Sequence, residues 1–292
     1  MNRMEPTLYS ALIVLQAQHE AALPTTMGTQ IHAMFHHLLT QADPALSVHL
    51  HQPSVRRPFT LSPLQGCTQR GDHFTVSAGQ TYSVRVTLLD GGMLWNCLST
   101  LFLETEALSV RIGKASFTVR KFISTPAADP TGWAQRCTFQ ELVAAPVRHT
   151  ITLSFASPTA FNMREGYFAL VPEPSLVWDN LLRSWNTYAP EAFQIEPKIV
   201  RDAARFSMTM TACEIATHTL HFPTAAQKGF LGTCTYQVAE QEEHTGELTR
   251  LAAFARFAGV GYKTTMGMGQ VRMEDEEMKR REQTRERVEQ VS

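Results

Sequence analysis

One order of secondary-structure elements occurs twice along this chain, and it restricts the fold more than any single motif does. The first pass starts at residues 8–15, a mostly aliphatic run of the kind that suits a covered strand. In the segment MGTQIHAMFHHLL that follows, Ile31, Met34, Phe35, Leu38 and Leu39 form one apolar helical stripe, with His32 and His36 four residues apart along its edge. After Pro44 the stretch ALSVHLHQPSVRRPFTLSPL, interrupted by Pro53, Pro58 and Pro63, predicts an extended edge strand containing a loop, with His49 on the strand. Tyr82, Val84, Val86 and Leu88 then alternate with Thr81, Ser83, Arg85 and Thr87, the pattern of a half-buried strand. A second helix stacks Met93, Leu94, Cys97, Leu98, Leu101 and Phe102, and SVRIGKASFTVRKFI reads as one closing strand.

The resulting order, β-α-β-β-α-β, is that of the ferredoxin-like split βαβ: a four-stranded antiparallel sheet with two helices on one face. It returns after residues 125–147, whose prolines and Gly132 mark a linker. Ile151, Leu153 and Phe155 alternate with polar neighbours, PSLVWDNLLRSW is helical, strand-like segments lie near 205–220 and 229–238, and a helix carrying Leu248, Leu251, Ala252 and Ala255 precedes a short last strand. The expected fold is therefore α+β, with two tandem ferredoxin-like domains at 1–124 and 148–273 and a charged tail over 274–292, solvated or disordered. A chain of 292 residues that is 43% hydrophobic has enough material for two such cores.

Bulk chemistry narrows the function classes. The formal net charge is −1, which argues against nonspecific coating of DNA; contact with nucleic acid has to come from a local patch, which leaves recognition of a specific folded RNA open. Five widely spaced cysteines without a Cys-x-x-Cys pair argue against a disulfide framework and against a cysteine zinc site, and point to a reducing compartment. No run of 18 apolar residues and no leader-like N-terminus are found, so the reading is a cytoplasmic protein with no membrane partner.

Glycines 259, 261, 267 and 269 cluster in FAGVGYKTTMGMGQVR, around Lys263. The stretch is no dinucleotide loop, because Thr264 and Arg272 stand three residues after Gly261 and Gly269. Nor is it a P-loop, because Tyr262 takes the place of the glycine before Lys-Thr. Two readings stay open: a long turn that needs positive φ, or a backbone whose uncovered amide N–H groups, with Lys263 beside them, meet an extended polyanion. Basic residues at Arg111, Lys114, Arg120 and Lys121 fit either a solvated strand face or a phosphate-positioning surface.

A glycine-rich loop between the last helix and last strand of the second domain resembles the hallmark of the repeat-associated RNA-binding superfamily of CRISPR systems. The block VHLHQPSVRRPFTLSPL is similar to the segment that carries the catalytic histidine in the CRISPR-repeat-processing endoribonucleases, and ITLSFASPTAF resembles the first strand of that family's second domain. This resemblance spans roughly residues 7–273. It implies an endoribonuclease that needs no metal or other cofactor and cuts CRISPR repeat RNA within precursor transcripts. The ribose 2′-hydroxyl attacks its own phosphate, leaving a 2′,3′-cyclic phosphate and a 5′-hydroxyl.

The same resemblance places the principal histidine at His51 and a second proton-transfer residue on the first helix at His36, a position that is tyrosine in some members and histidine in others. An imidazole serves either proton role near neutral pH. Arg57 stands where relatives carry a lysine; it can grip phosphate but cannot act as acid or base. RNA-binding roles are expected for His32, Arg56, Arg70, Gly259, Gly261, Lys263, Gly267 and Gly269. Partners are the repeat RNA and other subunits of a CRISPR effector complex, with no DNA bound directly. The alternatives are a noncatalytic RNA-binding subunit on the same fold and a metal-dependent hydrolase using His32, His36 and His51 as a zinc clasp, which lacks the glutamate of H-E-x-x-H.

Overall fold

The computed structural model describes residues 7–274 apart from 53–55, 106 and 165, so the charged tail beyond Glu274 lies outside the described residues. The first unit contains β1 (Thr7–Ala17), β2 (Ala21–Pro24), α1 (Gly28–Ala42), α2 (Pro44–His51), β3 (Phe59–Leu61), β4 (Thr68–Arg70), β5 (His73–Val76), β6 (Thr81–Leu88), α3 (Gly91–Glu104), β7 (Ser109–Ile112) and β8 (Ala115–Ile123). Its main sheet runs β3-β6-β1-β8-β7 with antiparallel neighbours. Taking β1, β3, β6 and β8 as the four principal strands, the spatial order is 2-3-1-4, the split βαβ topology. β2, β5 and β4 form a separate small sheet.

β9 (Gln135–Thr138) and α4 (Phe139–Val143) connect to the second unit, which contains β10 (Thr150–Thr159), β11 (Phe161–Arg164), β12 (Tyr167–Ala169), α5 (Pro174–Tyr188), α6 (Pro197–Phe206), β13 (Met208–His221), β14 (Ala226–Val238), α7 (Thr245–Ala258) and β15 (Val271–Met273). Its sheet, β13-β14-β10-β15, repeats the 2-3-1-4 order. Each unit has its own apolar core, one centred on Phe35, Phe59 and Phe117, the other on Trp178, Trp185 and Tyr236. Among the described residues no helix is long and apolar enough to cross a membrane.

Three expectations change. The extended stretch after Pro44 is helical up to His51, so His49 lies on an exposed helical turn and the strand shrinks to Phe59–Leu61. The cause is local: Asp43 caps the helix by accepting from the Leu46 amide at 3.0 Å, and Pro44 occupies the first turn, where its missing N–H costs nothing. The single closing strand of the first unit is a hairpin, β7 and β8, turning at Gly113 with φ +58°. The stretch 125–147 is built into both units rather than hung between them. Its β9 pairs with residues 7–10 of β1, and Phe139 and Leu142 join the second core.

The alternation in β6 holds, but its polar face is open only at Thr81 and partly at Ser83, and is covered from Arg85 onward. Ser10, Thr60, Ser62, Arg85 and Thr87 are all at least 98% buried, because the second unit covers that side of the sheet. Arg85 is central to this seam. Its Nε donates to Ser10 Oγ at 2.8 Å, its two terminal nitrogens donate to Gln270 Oε1 and the Arg256 carbonyl, and its guanidinium lies 4.4 Å above the Trp133 ring. Gln270 in turn donates to the Leu61 carbonyl at 3.2 Å. The 129–134 turn that carries Trp133 is organised by Asp129, whose carboxylate accepts from Thr131, Trp133 and Ala134. Burial opposes the Asp129 charge, but these hydrogen bonds prevail and hold its pKa below the usual carboxylate value.

Candidate active site

Helical spacing puts His32 and His36 one turn apart on α1, and α2 folds back so that His51, its last residue, reaches them. Thr40 Oγ1 donates to the His36 carbonyl at 2.9 Å and contacts Ser47 Oγ at 2.8 Å, which pins α2 against α1. The His36 and His51 rings meet edge-on with centroids 4.6 Å apart and Nδ1 atoms separated by 3.4 Å. His32 lies 4.6 Å from His36 on the other side, and Phe59 packs near both. His51 is exposed and His36 is buried, so the pair runs from solvent into the protein.

Burial, then the neighbouring His32, His51 and Arg57, push the His36 pKa down to about 4, so the ring is neutral at physiological pH. His32 is also shifted down, by burial first, although its hydrogen bond to the Thr265 carbonyl at 3.1 Å opposes the shift. That carbonyl fixes the His32 tautomer, because only a protonated Nδ1 can satisfy it. Two buried nitrogens at this site, His36 Nε2 and Arg57 Nε, have no hydrogen-bond partner among the described residues. Among the described residues, no group of three His, Cys, Asp or Glu side chains forms a metal-holding cluster.

Beside the histidines opens a cleft of about 340 Å³, walled by Arg56 and Arg57 from the first unit and by Tyr188, Tyr262, Lys263 and Thr265 from the second. The 56–57 segment is tied across it. Arg56 Nη2 donates to Ser184 Oγ at 2.7 Å, and the Tyr188 hydroxyl donates to the Arg56 carbonyl at 2.9 Å. Lys263 adopts a left-handed backbone (φ 54°), and its Nζ stands 3.8 Å from the centroid of Phe222, on the β13–β14 turn; burial lowers its pKa.

The glycine loop sits at this cleft, but the expected use of its backbone is corrected. The amides of Gly259, Gly261, Gly267 and Gly269 all donate internally, to Ala255 O, Asn180 Oδ1, Leu61 O and Pro158 O. They are not uncovered for a polyanion. The glycines are needed for shape instead: all four have positive φ, and a Cβ on Gly269 or Gly261 would lie 2.2 Å from Val260 O or 2.5 Å from Ala160 O. The first unit approaches the loop just as tightly, since a Cβ on Gly28 at the start of α1 would lie 2.0 Å from Met266 O.

The structure thus brings His32, His36 and His51 together, with Phe59 and the Thr265 carbonyl joining them to a cleft lined by Arg56, Arg57, Gly261 and Lys263, although no histidine among the described residues lines the cleft itself. Arg70 is not brought there. It is exposed on β4 of the small separate sheet and does not line the cleft. Sequence reasoning missed Ser184, Tyr188 and the Thr265 carbonyl, which lie more than 100 residues from the groups they hold and leave no local signal.

Family comparisons match this chain in both halves. The model for the CRISPR Cas6 N-terminal domain matches residues 7–144, and that for the CRISPR-associated endoribonuclease Cas6 matches residues 153–271. A CRISPR-associated endoribonuclease Cas6 of Mycobacterium tuberculosis is 26% identical over 131 residues, 45% of this chain and 41% of that protein, so the alignment spans about two fifths of the relative's length. The fold likeness is broader. A Thermus thermophilus Cas6 product complex superposes with a TM-score of 0.77 at 26% identity, covering 92% of this chain and 100% of that one. A second Cas6 product complex gives 0.72 at 29% identity over the same shares.

Proposed function

The chain belongs to the Cas6 family of CRISPR-associated endoribonucleases, both of whose domains it carries, and from that premise we propose that it cuts CRISPR repeat RNA in precursor transcripts by 2′-hydroxyl attack on the adjacent phosphate. The observation that carries the reading is the His51–His36 contact near Arg57, which itself lines a cleft walled by both units. Neutral His36 offers the Nδ1 lone pair, so His51 donates through Nδ1–H and keeps its Nε2 lone pair for a ribose hydroxyl. On taking that proton His51 becomes a cation held by His36. The pair retains the proton until the departing 5′ oxygen takes it, leaving a 2′,3′-cyclic phosphate.

Arg57, which lines the cleft, meets the charge that grows on the phosphate. Lys263 and Arg56 hold flanking phosphates, and His32 anchors α1 to the glycine loop. RNA is bound by backbone and shape, with unpaired bases read in the cleft. Passage of the product to other CRISPR subunits rests on the family relationship, and the cytoplasm as location is supported by the five free thiols.

The test is incubation with the host's repeat RNA in chelator, with the product termini analysed. Cleavage leaving a cyclic phosphate is expected. His51→Ala should lower the rate by about 10²- to 10⁴-fold while repeat-RNA affinity stays nearly unchanged. Cleavage by H51A at the parent rate would remove His51 from the chemistry. A parent protein that binds repeat RNA and never cuts it would establish the noncatalytic alternative.

A further inference from the structure

Away from the cleft, two thiols face each other across adjacent strands. Cys213 on β13 is directly opposite Cys234 on β14 in the antiparallel register, and their Sγ atoms are 2.7 Å apart. That separation is not far above the roughly 2.05 Å of a formed disulfide. The partners differ in access: Cys213 is exposed on a strand whose other edge is unpaired among the described residues, whereas Cys234 is fully buried beside Leu153. Because Cys234 is fully buried with Cys213 against it, its sulfur is reached by its neighbour and not by a reagent from solvent; burial, then Cys213 itself, also raises its pKa. An accessible thiol backed by a resolving one is the arrangement found at reversible oxidation sites. Cys67, Cys97 and Cys137 are also free thiols, and each has its own pKa raised by burial.

We propose that Cys213 and Cys234 form a reversible thiol-oxidation site that accepts low-molecular-weight disulfides such as oxidised glutathione. The Cys213 thiol loses its proton and attacks one sulfur of the reagent, breaking its S–S bond. A mixed disulfide remains on Cys213, and one reduced thiol leaves with the proton. Cys234 then loses its proton and attacks the Cys213 sulfur, forming the internal bond and releasing the second reduced thiol. The protein loses two hydrogens and two electrons, and the reagent gains them.

The bond would close a loop between residues 21 apart, restricting the unfolded chain and joining β13 covalently to β14. The turn between those strands carries Phe222, against which Lys263 stacks, so oxidation fastens the hairpin that backs the glycine loop. This inference rests on strand register and does not depend on the RNA reading.

The full chain would be equilibrated in a series of reduced and oxidised glutathione buffers, acid-quenched, alkylated, digested and analysed by mass spectrometry, with Tm recorded in parallel. The expected result is a linked peptide pair containing Cys213 and Cys234, lighter by two hydrogens, reversed by dithiothreitol and accompanied by a Tm several degrees higher. Cys234→Ser should stop at a glutathione adduct on Cys213, and Cys213→Ser should leave Cys234 unmodified. If the parent protein instead accumulates the Cys213 adduct without an internal bond, or if both thiols stay alkylatable across the series, the site is refuted. Neither of those results requires a variant to fold.

Discussion

Replacing Arg85 by methionine tests how firmly the two units are joined. The native side chain is 99% buried and supplies three hydrogen bonds, to Ser10, Gln270 and the Arg256 carbonyl, the last two belonging to the second unit. Hydrogen bonds from a charged group contribute about 1.5–3 kcal/mol each. Against that stands the cost of burying a guanidinium close to Arg256 and Arg272, which disfavour its charge, with Asp129 partly compensating. Methionine keeps the volume and relieves the charge but strands three buried acceptors, at about 1–3 kcal/mol apiece. The net loss is about 3–5 kcal/mol, which in a chain of this size lowers Tm by about 10 °C.

The assay is urea unfolding with R85M, Gln270→Leu and the double variant. Their coupling should exceed about 1 kcal/mol, because R85M takes the donor from Gln270 and Gln270→Leu takes the acceptor from Arg85, so either single change breaks the same bond. Repeat-RNA cleavage by R85M should also drop, although no cleft side chain has been altered, since the cleft walls belong to different units. A Tm within 2 °C of the parent, in about the margin a surface change produces, would show that the seam does not depend on Arg85.

Other perturbations separate the remaining roles. The unfolded chain takes up a proton at His36 below about pH 6.5, whereas the folded site resists it until about 4. The proton favours the unfolded state in that window, so stability is complete above it and declines as pH falls through it. Between pH 7.5 and 4.5 the parent should lose about 2 kcal/mol more than His36→Asn in urea titrations, and parallel curves would contradict the burial argument. Gly261→Ala, forced into φ +90° against Ala160 O, should cost about 2 kcal/mol or more, while Gly92→Ala, which meets nothing within 4 Å, should be neutral or mildly stabilising; equal effects in thermal melts would disprove the shape requirement. Lys263→Ala should weaken repeat-RNA binding and reduce the salt slope by about 0.7–0.9, as expected for one phosphate contact; an unchanged slope would remove Lys263 from the RNA.

Much of this was legible wherever periodicity and chemistry agreed. The i, i+4 spacing of His32 and His36, the alternation in β6 and the glycines before β15 identify elements that the structure contains. What escaped depended on partners far along the chain. Arg85 sits on the polar side of an alternating strand and reads as solvated, but only the arrival of Gln270 and α7 determines that this side is covered. The helix ending at His51 was hidden by the prolines that follow it, although Asp43-Pro44 is a sound start signal. The glycine loop was recognisable as special, yet which acceptors its amides meet depends on Leu61 and Asn180, outside the loop itself.

The seating of α1 on the glycine loop has a consequence for how such a protein can change. Gly28 has no room for a Cβ beneath Met266, and His32 holds a carbonyl contributed by the opposite repeat. Whatever doubling of an ancestral fold produced this chain, the two copies are no longer interchangeable parts. A substitution on the loop alters where the rings of His32 and His36 stand, so inheritance must treat helix and loop as one piece.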